Sequence, residues 1–380
     1  MTDEKLPIEA LSAHPVELYG CGISYFTGKM ENYFKLRGIA YELKDMPFPG
    51  FKKRMEKAVG VMQMPAVILP DGRWMTDTTK MIQLFEAQLP GDGLIPDDPR
   101  QAFFCYLIED WADEWLWRPA MHYRWHYREG ARFASDYLAS HLLQSMMAPL
   151  WMKRARLTMR QRNGYTVGDG ITRDNVAHVE SGFMKTLAIL EAIFAKRQFL
   201  LGARPSLADI GLSGPFFRHF ALDPVPAEIL RQHAPHVLAW VTRLWRTRLS
   251  DGVAPWPEAW EDTLPDDLAP LLEDIGKTHL VYLCANVEAV KAGQKRFDAD
   301  IDGTFYKAAR YSQYRVWCLK ELRAHFQATP EDAQADTRAM LQKTGCWEPL
   351  WRHSELPMSD DQEENLPFHA DSKMVGVNET

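Results

Sequence analysis

The chain has 380 residues, 46% hydrophobic and 25% charged, which is enough apolar material for two or three packed domains. Its net charge of −7 leaves no basic footprint for nucleic acid or an anionic bilayer, and no apolar run reaches the ~18 residues a membrane span needs. Five scattered cysteines with no C-x-x-C argue against a disulfide scaffold or a structural zinc site, and the acidic N-terminus is no secretory signal, so a reducing cytoplasm fits best.

Val16 to Gly20 alternates and ends in glycine, as a short strand does. Ser24 then precedes a helical stretch, Tyr25 to Arg37, closed by Gly38; serine is a good N-cap and glycine a good helix stop. Ile39 to Leu43 reads as a second strand. After a less regular stretch, Met64-Pro65-Ala66-Val67-Ile68-Leu69, the turn Pro70-Asp71-Gly72 and Arg73-Trp74 make a hairpin. Thr76 to Leu89 follows as a helix. The order is βαβ, then ββα, over residues 14–90.

Pro90 to Arg100 holds three Pro, two Gly and three Asp and reads as a linker. Beyond it the periodicity predicts helices only: 103–117, 132–163, 173–196, 206–221, and 227–248 with an interruption near Pro235. These make an all-helical domain over 98–250. Asp251 to Pro270 is a second break. Helices then resume at 268–293, 305–327 and 331–343, a helical extension over 258–355. Residues 357–380 are polar and acidic and read as a disordered tail. Thirteen tryptophans either fill cores or line a pocket for flat apolar ligands.

Four local features together resemble the cytosolic glutathione S-transferase superfamily. They are Ser24-Tyr25-Phe26-Thr27-Gly28-Lys29 running on to Gly38 and Glu42, then Gln63-Met64-Pro65-Ala66, then Asp77-Thr78 opening a helix, and Leu201 to Asp209 with the capping spacing Ser206-Leu207-Ala208-Asp209. The resemblance covers roughly residues 16 to 248. The longer layout, with Trp111 to Trp115 and His122 to Trp125, is similar to a bacterial subgroup with a helical C-terminal extension.

The resemblance implies an α+β thioredoxin-like domain followed by an all-α domain with extra C-terminal helices. It implies glutathione as co-substrate, an electrophile as second substrate, and a homodimer. Ser24 then activates the thiol from the N-terminus of the first helix. Pro65 is cis, Met64 pairs its backbone with the cysteinyl part, and Gln63 stands by. Asp77 and Thr78 take the γ-glutamyl end. Tyr25, Trp111, Trp115, His122 and Trp125 shape the electrophile pocket. No metal is expected, since Pro119 breaks the chain between the acidic and histidine groups. Two departures stand out: Tyr25 replaces a proline common in the family, and Gly28 stands where a basic residue is frequent. Tyr19, Cys21, Tyr25 and Thr27 are rival thiol-activating groups. Two other functions stay open: a binding or scaffold protein without chemistry, and a thiol reductase using Cys21.

Overall fold

The computed structural model describes residues 5–46, 50–144, 146–248 and 259–372. A short helix, α1 (Ile8–Ala13), leads into β1 (Val16–Gly20), α2 (Tyr25–Arg37), β2 (Tyr41–Asp45), α3 (Gly50–Val59), β3 (Ala66–Ile68), β4 (Trp74–Met75) and α4 (Thr78–Gln88). The sheet order is β2-β1-β3-β4, with β1 parallel to β2 and antiparallel to β3. This is the thioredoxin-like arrangement. Ser24 caps α2, and Gly38 ends it in the left-handed region at φ 70°. Every residue of α2 is buried except Lys35 and Arg37, because one face meets the sheet and the other the helical domain.

The helical part runs through α5 (Pro99–Glu114), α6 (Trp117–His126), α7 (Arg128–His141), α8 (Leu150–Gln161), α9 (Val176–Phe194), α10 (Leu207–Pro215), α11 (Pro224–His233) and α12 (Pro235–Arg246). The stretch 132–163, read from the sequence as one helix, is broken between α7 and α8 around Pro149, where a helical N–H is lost. Asp209 completes the box that opens α10. It accepts from the Ser206 N–H at 2.9 Å, the Leu200 N–H at 3.0 Å and the Trp240 indole at 3.0 Å. The α10 helix packs on both α2 and α5, and Gly214 permits this. A Cβ there would stand 2.8 Å from the Tyr25 ring.

The extension departs from expectation. After α13 (Ala269–Lys277) and α14 (His279–Lys291), the chain forms a hairpin of β5 (Arg296–Ile301) and β6 (Thr304–Arg310). Helices alone were expected here. The signal was present: Phe297, Ala299 and Ile301 alternate inward, and Asp302-Gly303, both at positive φ, make the two-residue turn. The helix expected from 305 therefore starts later, as α15 (Gln313–Ala328), and α16 (Glu331–Lys343) and α17 (Trp347–Trp351) follow.

The stretch 357–372 is folded rather than disordered. Phe368 and Ala370 are buried, and the Ala370 N–H donates to the Val59 carbonyl at 2.9 Å. The rest of that tail, 373–380, and residues 251–258 of the second break lie outside the described residues. One continuous apolar core joins β1 and α2 to α5, α6, α9 and α10 and runs on into α13, α14 and α15. Among the described residues no helix is long and apolar enough to cross a membrane.

Candidate active site

The turn between β1 and α2 is held from three sides. The Ser24 N–H donates to the Cys21 carbonyl at 3.0 Å. The Gly22 N–H donates to the Tyr137 hydroxyl of α7 at 3.1 Å. The Ile23 carbonyl accepts from Arg124 Nη1 of α6 at 2.7 Å. Ser24 is half-buried, and its Oγ accepts from the Thr27 N–H at 3.4 Å. Among the described residues nothing takes the Ser24 hydroxyl proton. A donor therefore stands at the positive end of a 13-residue helix.

Facing it is the segment Gln63-Met64-Pro65, with a cis bond between Met64 and Pro65. Gln63 Nε2 donates to Thr76 Oγ1 at 2.7 Å. Among the described residues no hydrogen bond engages the N–H or C=O of Met64, so the backbone of that one residue is left unpaired. Ser24, Gln63 and Met64 open on one cavity of about 260 Å³. Its far wall is largely apolar and aromatic: Trp117, Met121 and Trp125 of α6, with Leu138, Tyr165 and His219.

Of the residues expected to shape this pocket, Tyr25 and Trp125 line it. Tyr25 does so with its ring only, because its hydroxyl donates to the Ala112 carbonyl at 2.5 Å. Trp111 is fully buried in the core. Trp115 lines a different cavity, and His122 is turned to Glu180, 2.8 Å away. Trp117 and Met121 were missed, although their spacing of four, with Arg124 three positions further on, marks one helix face. Reading Pro119 as a break hid that face. It sits in the first turn of α6, where a missing N–H costs nothing.

Gly28 is explained by Arg218. A Cβ there would lie 2.2 Å from Arg218 Cγ, and the Arg218 guanidinium pairs with Glu31 on the same helix. A cation from the helical domain thus lies against the helix position where a basic side chain was expected. Cys21 lines the cavity but is only 3% exposed, and burial pushes its thiol up from the ordinary value. At neutral pH it is a thiol, which is a poor nucleophile.

Asp77 and Thr78 do not open on the cavity. Asp77 caps α4 at φ 72° and accepts from the Lys80 N–H at 2.9 Å. Its other oxygen accepts from the Tyr314 hydroxyl of α15 at 2.8 Å. The Thr76 N–H donates to the Pro367 carbonyl at 2.9 Å. Thr78 is buried beside them, and its Oγ1 has no hydrogen-bond partner among the described residues. The extension and the C-terminal stretch therefore cover this end of the groove.

Burial raises the Asp77 carboxyl to about 6. The folded state then holds this proton more tightly than the unfolded chain does. The stabilisation is fully present below pH ~4 and is lost as pH rises through about 6, a change of about 3 kcal/mol. Asp77→Asn carries no such charge. Its stability relative to the parent is expected to increase by about that much between pH ~4 and pH ~7.5. Urea unfolding of both proteins at the two pH values checks this, and a difference that stays constant would count against a buried carboxylate.

Residues 18–93 match the family description "Glutathione S-transferase, N-terminal domain", and residues 173–243 match "Glutathione S-transferase, C-terminal domain". The chain is similar to the probable glutathione S-transferase BZ2 of Zea mays, 30% identical over 115 residues, which are 28% of this chain and 48% of that protein. It thus spans about half the length of the curated relative it matches. Among solved structures it is similar to beta-etherase LigF from Sphingobium sp. strain SYK-6, at 21% identity and TM-score 0.42, covering 61% of this chain and 95% of that one. It is also similar to a glutathione S-transferase of Methylobacterium radiotolerans in complex with glutathione sulfonate, at 17% identity and TM-score 0.38, covering 66% and 100%.

Proposed function

This chain belongs to the glutathione S-transferase superfamily, and from that premise we propose that it binds glutathione, lowers the pKa of its thiol at Ser24, and transfers an apolar, aromatic electrophile to the sulfur. The single observation that carries the reading is geometric: the Ser24 hydroxyl at the N-terminus of α2, whose proton has no acceptor among the described residues, opens on the same cavity as the unpaired backbone edge of Met64.

An extended tripeptide would add to the Met64 edge as one more strand, its cysteinyl N–H and C=O pairing there. That places sulfur toward the N-terminus of α2. A free thiol titrates near about 8.5, and lowering it by about two units requires roughly 2.7 kcal/mol in favour of the thiolate. The helix terminus contributes up to about 2 kcal/mol and the Ser24 hydroxyl the remainder. The thiolate pair then forms the new carbon–sulfur bond while the leaving group departs with the electrons of its own bond. Trp117, Trp125 and Met121 give the electrophile a dry apolar wall.

The Tyr314–Asp77 and Pro367–Thr76 contacts favour a second reading, a fold that has kept its site while its own extension holds the amino-acid end closed. The two readings separate on one variant. Asp77 would pair with the γ-glutamyl ammonium only in place of Tyr314. A hydrogen bond to a charged acceptor is worth about 1.5–3 kcal/mol, so Tyr314→Phe is expected to tighten glutathione binding about tenfold or more. Calorimetric titration of both proteins checks this, with mass spectrometry of S-conjugates across a panel of aromatic halides, epoxides and aryl ethers. No conjugate above the uncatalysed rate from either protein would end the transferase reading. Glutathione binding without conjugation would leave the scaffold reading. The Cys21 reductase reading is opposed by the burial of that thiol.

A further inference from the structure

We infer that a second binding site, for a small monocarboxylate with an apolar body, lies on the far side of α6, with the Arg118 guanidinium as its recognition group. The helix has two working faces. Trp117, Met121 and Trp125 face the Ser24 cavity. Trp115 and Leu116 just before the helix, with Arg118 and Pro119, line another cavity of about 200 Å³, closed on its other sides by α9, α13 and the β5–β6 hairpin.

Arg118 is 1% exposed. Its Nη1 donates to the Glu114 carbonyl at 3.0 Å. Nε and Nη2 have no hydrogen-bond partner among the described residues, and no carboxylate there lies within ion-pair reach of the group. Its centre stands 3.7 Å from the centroid of the Tyr282 ring and 4.6 Å from that of Trp115. These rings attract the cation through their faces but accept no in-plane N–H bond. A guanidinium stays protonated at any ordinary pH, so the fold holds a buried positive charge without its anion. Such a charge is costly unless paired.

The two free atoms define the ligand. Nε and Nη2 form the side-on fork of a guanidinium, whose parallel N–H bonds match the two oxygens of a carboxylate. Trp115 and Phe183 supply apolar wall beside it. The rim limits the charge. Lys185 is already paired with Asp274 at 2.7 Å, and Asp302 adds a second carboxylate, so a multiply charged anion such as phosphate meets repulsion at the mouth. A singly charged acid with a flat apolar body satisfies fork, wall and rim together.

Benzoate is the probe and benzamide its uncharged control, with the full chain in a carboxylate-free and phosphate-free buffer. Saturating benzoate is expected to raise the unfolding temperature by about 2 °C, and benzamide is not. Arg118→Met should abolish the rise while unfolding no earlier than the parent without ligand, because it removes an unpaired buried charge. Arg118→Lys keeps the charge but loses the fork, and calorimetry should show benzoate binding weakened at least about tenfold. It decides the matter if the methionine variant does not fold. Equal benzoate shifts in parent and variants, a benzamide shift as large as that of benzoate, or no response of the parent would overturn the assignment.

Discussion

Ser24→Ala is expected to lower kcat/KM for glutathione conjugation by about tenfold, the kinetic equivalent of the roughly one unit by which its hydroxyl lowers the pKa of the bound thiol. The fold should survive. Ser24 caps α2 through a 3.4 Å bond from the Thr27 N–H, and loss of a cap costs about 1 kcal/mol. The diagnostic readout is the titration of the bound thiol, followed by thiolate absorbance with glutathione at saturation. Removing the hydroxyl should move that titration up by about one unit, toward the value of free glutathione. The helix terminus remains and keeps part of the effect. A bound thiol that titrates identically in both proteins would remove Ser24 from the chemistry and return attention to Thr27, whose buried Oγ1 has no partner among the described residues.

The largest loss of stability is expected from Arg124→Ala. The Arg124 guanidinium is 4% exposed and forks onto Asp223, with Nε 2.8 and 3.0 Å from its two oxygens. Its remaining nitrogens donate to the carbonyls of Ile23 and Arg218 at 2.7 and 2.6 Å. One side chain of α6 therefore ties the turn before Ser24 to the segment that follows α10. Truncation leaves Asp223 buried without its counter-charge and two carbonyls without donors, at a cost of about 3–5 kcal/mol at neutral pH. Burial already raises the Asp223 carboxyl to about 6 even with the arginine attached. Without Arg124 that carboxyl takes a proton at still higher pH, so the loss should be smaller near pH ~5 than near pH ~8. Urea unfolding at both values measures it. Arg124→Met combined with Asp223→Leu, which removes both charges, should recover most of the stability. An Arg124→Ala protein as stable as its parent at both pH values would show that the pair does not hold the turn.

Several parts of this architecture were readable from neighbouring residues. Ser24 and Gly38 bracket α2, Asp71-Gly72 turns the hairpin, and Ser206 with Asp209 opens α10. Each is a backbone event decided within a few positions, by a cap, a turn or a box. The β5–β6 hairpin carried a signal of the same kind in Asp302-Gly303 and was passed over because the surrounding region reads as helical.

The lining of the cavity was legible only in part, for a different reason. Aromatic residues crowd both faces of α6. Composition cannot say which face opens on Ser24 and which meets the hairpin, because that depends on where α8, α9 and the extension pack. The state of Asp77 lies further still from sequence reasoning. Its chemistry was predicted from residues beside it, whereas its hydrogen-bond donor, Tyr314, is 237 positions away in the chain.

Local order in the backbone of this protein thus follows from short-range preferences that any reader of the chain can apply. Who faces whom across the groove, and which end of it is covered, was settled only when distant segments competed for the same buried surface. A buried polar group accepts whatever partner packing brings to it, and packing is a property of the whole molecule.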